Sequence, residues 1–152
     1  MVLIKTVLDE NGKDIVSDYL NSIMGKSEFH SKFIIVMLEQ LQLSPLVNLI
    51  SNPTELTIMT QEGYERTKRY ILVKPLRKKP IYELRYGLSS NCHLRLLFFP
   101  INKNKKKYYL FTHAFVKTRI PPSDETDKFR DESYKLYQTF MKNTDKFNER
   151  VV

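Results

Sequence analysis

The chain has 152 residues, enough for one domain with its own core, and it carries a formal net charge of +8. A hydrophobic fraction of 41% with 12% aromatics excludes a disordered chain, and 28% charged residues place it among soluble proteins. The single cysteine, Cys92, excludes an internal disulfide, suits a reducing cytoplasm and reads as packing material.

Val2 to Asp9 reads as an opening strand, closed by the turn Asp9-Glu-Asn-Gly12. Its apolar start is too short for an export signal. Ile15, Val16, Tyr19, Leu20, Ile23 and Met24 then repeat at helical spacing, and Gly25 stands where a left-handed cap would. Ser27 and Glu28 open a second helix whose face is Phe29, Phe33, Val36, Met37 and Leu41, running to Leu43. The longest apolar run, Phe33 to Leu38, is too short to cross a bilayer.

From Ser44 to Tyr70 the pattern is weak, and a loop is expected with a short helix over Pro45 to Ile50. Three strand-like runs follow, Ile81 to Tyr86, His93 to Phe99 and Lys107 to Phe115, as an antiparallel meander. Pro121 and Pro122 stop the last strand, Ser123 is placed to cap a final helix reaching Lys142, and residues 145–152 are expected to fray. The order is β-α-α-β-β-β-α: one α+β domain over residues 1–144, a small, largely antiparallel sheet with helices on one face.

Charge is distributed unevenly over these elements. Between Glu65 and Arg119, fifteen Lys and Arg face two acids, a local charge of +13, while the remainder carries −5. A sheet-forming segment so poor in carboxylates favours a polyanionic partner, nucleic acid above all. The turn cluster Lys103, Lys105, Lys106 and Lys107 is read as a solvated hairpin.

Strand alternation puts Glu83 and Arg85 on one face, opposite Tyr82 and Leu84, and sets His93, Arg95 and Leu97 opposite Leu94 and Leu96. On the third run His113, Phe115 and Lys117 alternate together, so Lys117 and His113 are candidates for the surface that holds the two arginines. Cleaving RNA without a metal needs a base for the 2′-hydroxyl, cations for the charge on the phosphorane, and an acid for the leaving oxygen. Arg85 and Arg95 suit the second role, because guanidinium forks bind phosphate bidentately and stay charged. A lysine crowded by cations, such as Lys117, could exchange protons near neutrality. No phosphate-cradling glycine loop, dinucleotide fingerprint or zinc-like spacing occurs, so no cofactor or metal is implied.

In this order, Lys74-Pro-Leu76, Ile81-Tyr-Glu-Leu-Arg85, Leu94-Arg-Leu-Leu-Phe-Phe99 and His113-Ala-Phe-Val-Lys-Thr118 resemble the phage-derived HigB-type branch of the RelE/ParE toxin superfamily. The likeness spans roughly Ile71 to Tyr137. It implies a RelE-like microbial ribonuclease fold, cleavage of messenger RNA on the ribosome, and restraint by a cognate antitoxin, HigA-like with a helix-turn-helix. Carried over by position, Arg85 and Arg95 bind and neutralise phosphate, Lys117 assists proton transfer or charge stabilisation, and Lys74, Arg77, Lys78, Lys79 and Arg119 hold RNA. The chain departs from the pattern at Ala114, where glycine is usual, and at Val116-Lys117, where two lysines are common. Which residues serve as general base and acid is left open, and 44–70 stands as an insertion of unassigned role.

Two other functions fit the same features. A gyrase-targeting toxin of the ParE kind shares the fold, and a non-enzymatic nucleic-acid binder shares the basic sheet.

Overall fold

The structure, a computed structural model, describes residues 1–152. Strand β1 (Leu3–Thr6) runs into a turn held by the Asp9 carboxylate, which accepts hydrogen bonds from the amides of Asn11 and Lys13, with Gly12 at φ +79°. Asp14 caps helix α1 (Ile15–Met24) by accepting from the Ser17 amide at 3.1 Å. The same carboxylate accepts from the Thr6 hydroxyl at 2.8 Å, tying the helix start to β1. Gly25 does not form the expected left-handed cap. Its φ of −69° continues the helix, and Ser27, extended at φ −153°, makes the turn and caps α2 (Glu28–Leu43).

After α3 (Leu46–Ser51) the expected loop is instead a hairpin of β2 (Thr54–Met59) and β3 (Glu65–Tyr70), which forms its own two-stranded sheet. Leu56 and Ile58 alternate inward against α2, but charges at four of the six positions of β3 hide its strand character. Lys68 fastens the hairpin. Its ammonium lies 4.3 Å from the Tyr86 ring centroid and 5.3 Å from that of Phe33, and it donates to the Gly87 carbonyl at 2.9 Å.

The main sheet runs in the order β1-β7-β6-β5-β4. It contains β4 (Val73–Pro75), the expected meander β5 (Tyr82–Gly87), β6 (Cys92–Lys103) and β7 (Lys106–Arg119), and β8 (Pro122–Ser123) beside the end of β7. All its pairings are antiparallel except β1 with β7, which is parallel. Strands β6 and β7 outrun their expected ends because Asn104 and Lys105, at φ 52° and 65°, form a tight two-residue turn. Pro100 is tolerated in β6 because β5 begins opposite Phe98, leaving that end of β6 an edge.

Helices cover both faces of this sheet, which corrects the one-face expectation. Phe33, Ile34, Met37 and Leu41 of α2, with Val16 of α1, pack on Leu84, Tyr86, Leu94, Leu96, Phe98, Tyr109 and Phe111. On the opposite face α4 (Thr126–Lys142) buries Phe140 against Phe99, Leu110, Ile81 and Val7. Ser123 belongs to β8 and does not cap α4; the Asp124 carboxylate instead accepts from the Thr126 amide at 3.0 Å. The tail expected to fray is fastened. It forms α5 (Asp145–Arg150), Arg150 donates to the Leu8 carbonyl at 2.7 Å, and Val152 and Thr6 exchange backbone hydrogen bonds. No helix is long and apolar enough to cross a membrane.

Removing the Lys68 ammonium deletes a charged hydrogen bond and its aromatic contacts together. Lys68→Ala is expected to cost about 2 kcal/mol in urea unfolding and to open the 54–70 hairpin to protease first. Unchanged stability would show that the hairpin is held by Leu56 and Ile58 alone.

Candidate functional site

Strand register assembles the site. Arg85 of β5 pairs directly with Arg95 of β6, Gly87 pairs with His93, and His93 in turn faces Lys117 of β7. Period-two alternation sends Glu83, Arg85, His93, Arg95 and Lys117 to one sheet face, the face α4 covers only at its far end. Like charges in direct cross-strand register repel. The Glu83 carboxylate relieves this: one of its oxygens stands 3.4 Å from Arg95 Nε and 3.6 Å from Arg85 Nε.

The two arginines are not equivalent. Arg95 is 6% exposed and donates to the Leu94 carbonyl at 3.2 Å, whereas the Arg85 side chain is 38% exposed. Burial pulls Arg95 below the ordinary guanidinium range, and Glu83 opposes that shift. One carboxylate between two guanidiniums leaves a net positive charge. Beside it lies an open pocket of about 290 Å³ lined by Tyr70, Ile71, Arg85, Tyr86, Gly87, His93 and Arg95. Burial, and then Tyr86, raise the Tyr70 phenol well above its usual range, while Arg95 and Arg85 act against them.

His93 was not among the residues singled out from the sequence, although its i, i+2 spacing from Arg95 puts both on one face. Its Nε2 is buried and has no hydrogen-bond partner. Burial first, then Arg95, Arg119 and Arg85, lower it below the ordinary imidazole value, against a Ser90 backbone interaction. Tyr70 lies in the stretch that carried no readable pattern, so no sequence signal pointed to it.

His113 is a correction. It lies under α4, stacked on Phe129 with centroids 4.8 Å apart, with Nε2 2.8 Å from Glu132 and Nδ1 2.8 Å from the Thr112 hydroxyl. Both ring nitrogens are engaged and it does not line the arginine pocket. The close Glu132 contact favours an imidazolium, but burial is the larger effect and lowers its pKa.

Lys117 reaches the expected face with a partner that the sequence did not suggest. Its ammonium is 3.2 Å from Asp124, which offsets the cationic crowding on which a proton-exchange role rested. The Thr126 hydroxyl, with Lys117 among the lesser causes, holds Asp124 below the usual carboxylate range. Of the residues expected to hold RNA, Lys74 pairs with Glu83 across β4 and β5 and is exposed, as are Arg77, Lys79 and Arg119. Lys78 is drawn toward α4, 3.0 Å from Asp131 and 5.4 Å from the Tyr134 ring centroid.

A larger trough, about 610 Å³, lies between α1 and α4. Its mostly apolar wall carries Asp9, Glu10 and Glu132 against Lys135 and Arg150, a balance that suits a polyanion poorly. Compared with known protein families, curated proteins and solved structures, the chain matches none.

Two stability outcomes follow. Arg95→Ala, which strands a buried carboxylate beside one exposed guanidinium, is expected to cost about 3 kcal/mol, against under about 1 kcal/mol for Arg85→Ala, both by urea unfolding. All three histidines are held below the ordinary imidazole value, chiefly by burial. The unfolded chain therefore binds more protons, so stability is full above about pH 6.5 and is lost as pH falls toward the lowered folded values. The melting temperature should drop from pH 7.5 to 5.5, and less steeply in His113→Gln; a flat profile would contradict the burial of these rings.

Proposed function

We propose that the chain is a metal-independent endoribonuclease of the RelE/HigB toxin kind, which cleaves messenger RNA on the ribosome in the cytoplasm and is restrained by a cognate HigA-like antitoxin. The observation that carries this reading is the cross-strand pairing of Arg85 with Arg95 beside an open pocket. In-line attack of a 2′-oxygen on the adjacent phosphorus builds negative charge on the phosphorane oxygens while the 5′-oxygen departs. Arg85, half exposed, is free to present its fork to those oxygens. Arg95 supplies a charge already fixed by Glu83 and the Leu94 carbonyl, so little reorganisation accompanies the reaction. Lys74, Arg77, Lys79 and Arg119 are exposed cations available to the flanking phosphates. Lys117 pairs with His93 in register, but its ammonium is held 3.2 Å from Asp124 and does not line the pocket, so it adds positive charge to this face from outside the centre.

A second reading draws on the burial of Arg95 against Glu83. A gyrase-targeting toxin of the ParE kind would leave the arginine pair partly structural, holding β5 to β6, and would inhibit supercoiling while RNA stays whole. A passive binder would also leave RNA whole, with salt-dependent affinity.

Primer extension on a defined mRNA in a translating extract separates these outcomes. The wild type is expected to produce cuts at translated codons, and Arg85→Ala, which spares the buried pair, to lower cleavage about 100-fold. Intact mRNA with undisturbed translation would sink the ribonuclease reading and make the gyrase assay the deciding one.

A further inference from the structure

His93 is the group in the arginine pocket with an unmet requirement. Its ring lies across the strand from Gly87, which has no side chain to cover it; a Cβ placed there would meet Nδ1 at 3.9 Å. Its Nε2 is buried without a partner. Buried polar atoms are rarely left so, and the ring that carries this one lines the arginine pocket, where a ligand can supply what the chain does not.

The surroundings define that ligand. Arg85 faces the imidazole from β5, Arg95 from its own strand, and Arg119 and Lys117 from β7. Both nearby carboxylates are already engaged, Glu83 between the two arginines and Asp124 with Lys117. No free acceptor of charge is left for Nε2, and three guanidiniums oppose a proton on the ring. An anion seated among them would reverse both conditions, cancelling the repulsion and accepting an Nε2–H hydrogen bond. Phosphate fits the donor set, because planar forks and an imidazolium N–H each meet a tetrahedral oxyanion edge-on.

We propose that His93 joins Arg85 and Arg95 as a phosphate ligand and takes up one proton as the anion enters the pocket. The inference rests on the phosphate-binding part of the reading above and needs no strand cleavage. It makes the pocket a proton-linked anion site: the complex holds one proton more than the free protein, so affinity rises as pH falls through the interval in which only the bound form is protonated. The other two histidines do not compete for this role. His30 is on the α2 side, 2.6 Å from the Tyr86 hydroxyl, and His113 is engaged at both nitrogens beneath α4.

The test uses a short 2′-O-methyl RNA, which cannot be cleaved through its 2′-oxygen and whose phosphodiesters keep one charge each across the range. Fluorescence anisotropy at fixed ionic strength should give a Kd about tenfold lower at pH 5.5 than at pH 8, the size of a single linked proton over roughly one pH unit. His93→Gln should lose that pH dependence, its Kd changing by less than about twofold between pH 8 and pH 5.5. NMR titration of the three imidazoles in the wild type provides a readout that needs no variant. The His93 resonance should titrate at higher pH in the complex than in the free protein, with His30 and His113 unmoved. Binding that is flat with pH, with His93 titrating alike in both states, would overturn the proposal and leave the phosphate pocket standing. Failure of the oligonucleotide to bind at either pH would overturn the pocket reading itself.

Discussion

The open face of the sheet depends on one carboxylate. Arg85 and Arg95 are forced side by side by strand register, and two like charges at that separation would push β5 and β6 apart without a counter-ion. Glu83, two residues before Arg85 on the same strand face, supplies it from a position that is itself almost fully buried. A single negative charge is enough to let the strands pair and too little to neutralise both guanidiniums. The residual positive charge is therefore built into the fold and available to an anion.

How much of that face stays open is decided by α4. Where β6 and β7 slip register at Leu97 and Phe98, Thr112 is left over and hydrogen-bonds Ser133 of α4 at 2.8 Å. On one side of this point the face is apolar, with Phe99 and Leu110 buried under Phe140. On the other it is polar, carrying Glu83, Arg85, Arg95, His93 and Lys117. The helix ends its cover near His113 and Phe129, where the chemistry of the strand residues changes. His113 stacks beneath α4 and Arg95 lines the pocket beyond the helix, although both alternate to the same face of the sheet.

Much of the architecture was legible because it rests on local periodicity. The helical repeat of Ile15 to Met24 and of Phe29 to Leu41, and the alternation around Arg85, Arg95 and Lys117, each follow from chain geometry. The 54–70 hairpin was not legible, since β3 is charged at four of its six positions and its partner contributes only Leu56 and Ile58 to the core. Nor was the anchoring of the tail, which depends on a guanidinium reaching the Leu8 carbonyl across 142 positions of sequence.

The sequence by itself determined an α+β chain, a basic central meander and the sheet face on which its arginines emerge, because strand alternation and charge count are local properties. Only the tertiary structure decided which of those residues meet. Register set Arg85 beside Arg95 and His93 beside Lys117, the packing of α4 removed His113, and Asp124 claimed Lys117. These are contacts between segments far apart in the chain, and their free energy depends on burial and distance, which no single stretch of sequence contains.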